Sequence, residues 1–125
     1  SSRHKPSENC DVYIVNTYGE MSKFLRLSNV TFIGGSLVNH GGQNPLEAVR
    51  MGNYVMHGKK VNNFKEIYKE LKSLKISSEI KNIDQMEKVF VKNHNYKISN
   101  SKLNKINYLG AKIFENNVKE IKNYL

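Results

Sequence analysis

Residues 34–44, GGSLVNHGGQN, hold four of the chain's eight glycines around one histidine, and the segment runs directly into 45–47, PLE. Two Gly-Gly pairs give a backbone that can approach a ligand closely. Asn44 is a favourable N-cap, Pro45 suits the first helical position, and Glu47 falls three residues after the cap, which makes an Asn version of the capping box. The same helix start, preceded by Gly41 and Gly42, also offers unpaired N–H groups and a positive dipole end to a phosphate. Cap and ligand site thus draw on the same residues. Glu47 would repel a phosphate that it faced, so in the ligand reading it accepts hydrogen bonds from sugar hydroxyls. His40, between Asn39 and Gly41, reads either as a contact to phosphate or substrate or as a hydrogen-bonded surface residue.

Two further segments carry similar chemistry. In residues 16–20, NTYGE, Thr17 or Gly19 can cap the next helix while Glu20 complements its dipole, or the loop can touch a ligand. Residues 62–67, NNFKEI, repeat the Asn-x-x-Glu pattern with Asn63 as cap and Glu66 three residues on, and Phe64 is expected in the core. The four histidines have no helical pair spacing, and Cys10 is the only cysteine, so no zinc pattern exists and no metal is expected. Walker A, Gly-x-Gly-x-x-Gly and the nucleophile elbow are all missing, which disfavours P-loop hydrolysis, dinucleotide binding and α/β-hydrolase chemistry.

The elements that must position these loops alternate in type. Residues 11–15 (DVYIV), 30–33 (VTFI) and 54–56 (YVM) are short β-branched or aromatic runs expected as buried strands, and a fourth is expected over 76–80 (ISSEI). Between them lie helical patterns, with Met21, Phe24 and Leu25 on one face and Leu46, Val49 and Met51 on another. Phe64, Ile67, Tyr68, Leu71 and Leu74 keep the spacing of an amphipathic helix. A helix over 83–93 and a long final one from about Ser101, carrying Leu103, Ile106, Leu109, Ile113 and Ile121, complete the pattern. This rhythm predicts an α/β, Rossmann-like domain of three layers over residues 11–125, with about four parallel strands and right-handed crossovers. Residues 1–10 are expected to be a loose N-terminal segment. Open parallel sheets bind ligands at the carboxyl ends of their strands, where the glycine-bearing loops fall.

At 125 residues the chain is long enough for one core without disulfides. No apolar run approaches a membrane span, and residues 1–9 contain no apolar signal segment, so a reducing cytoplasmic setting is expected. The formal charge is +9, but its distribution is uneven: residues 1–57 hold five basic and four acidic side chains, and residues 58–125 hold fifteen lysines, no arginine and seven acids. Lysines scattered along helix faces lack the arginines and interleaved aromatics of a nucleic-acid site, so nucleic acid is not expected as a partner. They suit solvated faces or attraction to an anionic membrane surface.

The ordered segments NTYGEM, GGSLV, GGQNPLE and HGKKVNNF resemble the D-T-x-G-E-L, G-G-S-L-V, G-G-x-N-P-L-E and G-P-x-x-x-N-F motifs of the bacterial 3-deoxy-D-manno-octulosonic acid (Kdo) transferases. The likeness is close over about residues 11–71. It implies the C-terminal, donor-binding half of a GT-B glycosyltransferase that moves Kdo from CMP-Kdo to a lipid A precursor in lipopolysaccharide synthesis, at the cytoplasmic face of the inner membrane. The acceptor site and the general-base carboxylate would then belong to an N-terminal domain outside this chain, which alone would be inactive and have no catalytic residue of its own. By position, Tyr18, Gly19, Glu20, Asn44, Pro45, Leu46 and Glu47 match the family's CMP-contacting motifs. Gly35 and Ser36 match its second glycine segment, and Thr17, His40, Gly41, Gly42 and Asn63 are further candidate contacts. Beyond the donor CMP-Kdo, no cofactor is expected.

Three positions depart from the family pattern: Asn16 stands for its Asp, Met21 for its Leu and Lys59 for its Pro. The family's donor-contacting Pro-Arg segment would lie upstream of Ser1. Two alternatives remain open: another GT-B transferase using a uridine nucleotide sugar, and a basic interaction module binding anionic lipid or nucleic acid.

Overall fold

The computed structural model describes residues 8–125, so most of the expected loose N-terminal segment lies outside the described residues. Helix α1 (Met21–Leu27) leads into strand β1 (Val30–Ile33), helix α2 (Leu46–Arg50) and strand β2 (Tyr54–His57). A single 3₁₀ turn (Asn62–Phe64) then opens α3 (Lys65–Ser73), which is followed by β3 (Ser77–Glu79), α4 (Ile83–Asn93) and the long α5 (Asn100–Tyr124).

The sheet is parallel throughout, in the order β1-β2-β3, with Val30 opposite Tyr54, Ile33 opposite His57, and His57 opposite Glu79. β2 is central and buried at all four positions, as the unbroken YVMH run requires of a strand covered on both faces. The α/β, Rossmann-like architecture expected from the alternating periods is therefore present. The α3 stripe is also where its spacing put it, with Ile67, Tyr68 and Leu71 buried and Phe64 and Leu74 packed against the same core. Val49, Val55, Leu71, Ile76 and Ile106 are wholly buried and draw α2, β2, α3 and α5 together.

The strand count differs from expectation. Residues 11–15 form no strand, and Val12 and Ile14 are 77% and 81% exposed. β-propensity reports how well a side chain fits a half-covered pleated surface, and here the Val12 and Ile14 face is open and the segment pairs with no strand among the described residues. Its one described ring contact is Tyr13 stacked on Phe24, with centroids 5.8 Å apart. Met21, expected inward with Leu25, is exposed for the same want of a covering layer.

Asn53, which carries no sequence signal of its own, joins three elements. It is fully buried; its amide donates to Leu25 O at 2.6 Å, and its side-chain carbonyl accepts from Thr31 Oγ1 at 2.6 Å. The end of α1, strand β1 and the entry to β2 are thereby held in register. A buried amide is tolerated because these bonds satisfy it. Beyond the sheet, Asn82 caps α4 by accepting from Gln85 N at 2.9 Å, while Gln85 Oε1 accepts from Lys81 N at 2.9 Å.

Candidate functional site

Strands β1 and β2 end side by side, so the loops that follow them, 34–44 and 58–61, meet at the carboxyl edge of the sheet. Ser36 is their junction. It is fully buried; its hydroxyl donates to Ile33 O at 2.6 Å and accepts from Gly58 N at 2.8 Å, and its carbonyl accepts from Lys60 N at 2.7 Å. A Cβ on Gly58 would stand 2.4 Å from Ser36 O, so only glycine permits this approach. The family likeness nominated Ser36 as a contact; in the fold its hydroxyl is engaged in holding two loops together.

The second glycine pair is locked in the same way. Gly42 N donates to Gly35 O at 3.2 Å, and Gly41 O accepts from Asn63 N at 3.3 Å. Gly41 has φ +86°, and the Asn63 side chain occupies the space that a Cβ would need. Asn63 is thus a wall against Gly41 and not the cap that its Asn-x-x-Glu spacing suggested: it lies inside the 3₁₀ turn, and α3 has no side-chain cap. Exposed His40 folds over Gly35, with its Cδ2 3.0 Å from where a Cβ on Gly35 would be. Gly35, Ser36, His40, Gly41, Gly42 and Asn63 therefore form one hydrogen-bonded and packed cluster.

The helix start beside it follows the capping expectation in part. Asn44 Oδ1 accepts from Leu46 N at 3.0 Å, and Pro45, with φ −83° and ψ −9°, already has helical dihedrals. Pro45 and Leu46 are buried, while Asn44 and Glu47 are exposed, so of these four the two polar side chains face solvent. α2 is only five residues long, which limits its dipole and shifts any anion-holding capacity to the loop amides. Tyr68, read from sequence as core, also serves this loop: its hydroxyl donates to Gln43 O at 2.9 Å. Burial raises the Tyr68 pKa well above that of an ordinary phenol, so the hydroxyl stays protonated and remains a donor.

The segment 17–20 is built differently from expectation. Neither Thr17 nor Gly19 caps α1: Glu20 holds the N-cap position, and its carboxylate makes no capping bond to the helix backbone but accepts from Thr17 Oγ1 and pairs with Lys23 Nζ of the first turn at 3.4 Å. Gly19 has φ +79°, and Tyr18 is fully exposed. α1 packs against α2, so the 17–20 and 44–47 segments lead into neighbouring helices.

His57 is a site residue that the sequence reading missed. It is buried at the end of β2, its Nδ1–H donates to Gly58 O at 2.7 Å, and its ring lies 4.4 Å from that of Tyr68. Burial lowers its pKa; the Gly58 bond and nearby Glu79 oppose that shift, and Lys72 adds to it. Its only sequence signal is the strand end itself, where the last strand residue points a side chain at the edge that bears the loops.

No protein-family model matches the chain. Individual proteins do. A 3-deoxy-D-manno-octulosonic acid transferase of Haemophilus influenzae is 41% identical over 71 residues, covering 57% of this chain and 17% of that protein. One from Rickettsia bellii is 32% identical over 114 residues, covering 91% of this chain and 22% of its own length. A bifunctional glycosyltransferase/methyltransferase of Fusobacterium nucleatum is 32% identical over 94 residues, covering 75% of this chain and 15% of its length. The chain thus spans less than a quarter of each relative, and among its described residues no helix is long and apolar enough to cross a membrane. Agreement with several such proteins over most of its length, on an α/β fold whose loops gather at one sheet edge, identifies the chain as a domain related to the 3-deoxy-D-manno-octulosonic acid transferases.

Proposed function

We propose that this chain is the donor-holding domain of a GT-B glycosyltransferase, binding CMP-Kdo so that Kdo can be transferred to a lipid A precursor in lipopolysaccharide synthesis at the cytoplasmic face of the inner membrane. The observation that carries this reading is the interlocked pair of loops at the carboxyl edge of a parallel sheet, in a chain whose relatives are named for Kdo transfer. Such edges are where open α/β sheets take their ligands. The amides of Gly41, Gln43 and Asn44, which donate to no other group among the described residues, would hold the CMP phosphate, and exposed Glu47 would accept from the ribose hydroxyls. Tyr18, Gly19 and Glu20 would line the neighbouring side, and the Thr17 bond would orient the Glu20 carboxylate. Fixed dipoles of this kind stabilise a departing nucleotide without a nucleophile from this domain. A rigid cluster suits the task, since donors that are already aimed need no reorganisation when charge develops.

In an NMR titration of this chain, millimolar CMP is expected to shift the amides around Gly19 and of residues 41–47. Glu47→Ala is expected to weaken binding about tenfold, or ~1.4 kcal/mol. An unchanged spectrum in those segments would remove the donor role from this chain, and a stronger response to UDP would move the reading to a uridine nucleotide sugar.

A further inference from the structure

A concavity of about 830 Å³ opens beside the carboxyl ends of β2 and β3 against α3; it meets the 58–61 loop at Lys59 and Val61 but is lined by no residue of 17–20 or 34–47. Its volume is that of a small-molecule site. Two of its lining side chains, His57 and Ser77, are each only 6% exposed. Ser77 Oγ is buried and has no hydrogen-bond partner among the described residues, although an unsatisfied buried hydroxyl costs stability. The hydroxyl lies directly under the cavity wall, where a turn of the Ser77 side chain would bring it to a ligand atom that accepts from it.

The charges around the cavity point to the ligand's chemistry. Lys59 and, along α3, Lys65, Lys69 and Lys72 line it, opposed by Glu66 and Glu79. Among the described residues none of these four lysines forms an ion pair, leaving an excess of two positive charges, four less two. Lys65 and Lys69 stand at i, i+4 on one helix, an arrangement that repels unless an anion bridges it. We propose that this cavity binds a phosphate monoester carried on a sugar-sized polyhydroxyl body. The phosphate, with a charge of about −2, offsets the excess and accepts from Ser77 and the lysine ammonium groups. The Glu66 and Glu79 carboxylates accept from the hydroxyls of the body. The ester can arrive as a soluble sugar phosphate or as a lipid headgroup, and the inference stands whether or not the neighbouring loops bind CMP.

The test is an amide NMR titration of the chain with glucose 6-phosphate and with uncharged glucose, beside co-sedimentation with phosphatidylcholine vesicles that contain or lack phosphatidic acid. Saturable shifts at His57 and Ser77–Glu79 with glucose 6-phosphate, and none with glucose, are expected. Ser77→Ala is expected to weaken binding at least about tenfold while leaving the melting temperature equal or higher, since it removes an unsatisfied hydroxyl. Lys69→Gln with Lys72→Gln is expected to weaken binding without moving CMP affinity. Vesicle binding that requires phosphatidic acid and is lost in Ser77→Ala assigns the lipid source; glucose 6-phosphate binding without vesicle binding assigns the soluble one. Shifts spread along the α5 lysines, no saturable shift at β3 together with vesicle binding that survives Ser77→Ala, or undiminished affinity in Ser77→Ala, would each overturn the proposal.

Discussion

At the scale of single residues, His57 couples the fold to pH. Its pKa lies below the ordinary 6.5 because burial disfavours the imidazolium. Below pH 6.5 the unfolded chain gains a proton that folded His57 resists, so the unfolded state binds more protons and stability falls as pH falls. Its contribution is fully present above pH 6.5 and is lost as pH drops through the lowered folded value. Thermal melts between about pH 7.5 and about pH 5 are expected to show a steeper loss for the wild type than for His57→Gln. Parallel slopes would mean that His57 takes no part. Ser36 and Asn53 belong to the same scale: each is a buried polar side chain whose bonds bridge segments distant in sequence, and neither stands in a spacing that marks it as a bridge.

At the scale of elements, α5 divides into two parts. Ile106 is wholly buried where the helix packs on α2, whereas farther along Phe114 is 70% and Ile121 60% exposed. One continuous apolar periodicity therefore covers a docked half and an undocked half. Ile106→Ala is expected to destabilise the domain by about 2–5 kcal/mol, through lost burial and a cavity. Ile121→Ala is expected to stay within about 0.5 kcal/mol. Urea denaturation of both variants checks the contrast, and similar losses would show that the distal half is packed in solution. The 34–44 and 58–61 loops behave as one element for a related reason: their backbones are bonded to each other through Ser36, so displacement of one carries the other.

At the scale of the whole molecule, charge is the dominant surface property. Residues 58–125 carry fifteen lysines against seven acids, and none of those lysines forms an ion pair among the described residues. Uncompensated like charge destabilises a compact state. Raising sodium chloride from about 20 mM to about 500 mM shortens the Debye length from roughly 20 Å to about 4 Å and is expected to raise the melting temperature by several degrees. A falling melting temperature would show that attraction between charges outweighs repulsion. The +9 charge does not itself select a partner; in this fold part of it is gathered on the α3 face beside Ser77, where four lysines meet two acids.

The alternation of periods two and 3.6 determined the α/β class, the α3 stripe, the extent of α4 and the position of glycine-bearing loops directly after β1 and β2, because each depends on neighbours within a few residues. The capping of α2 by Asn44 was legible for the same reason. Residues 11–15 were misleading because a strand needs a partner and a covered face, and the sequence of a segment contains neither. Only the tertiary structure decided that Ser36 is a clasp, that Asn63 leans on Gly41, and that His57 and Ser77 line a common cavity. Those relations join β1, β2 and β3, whose adjacency arises from burying one shared core and not from any local pattern.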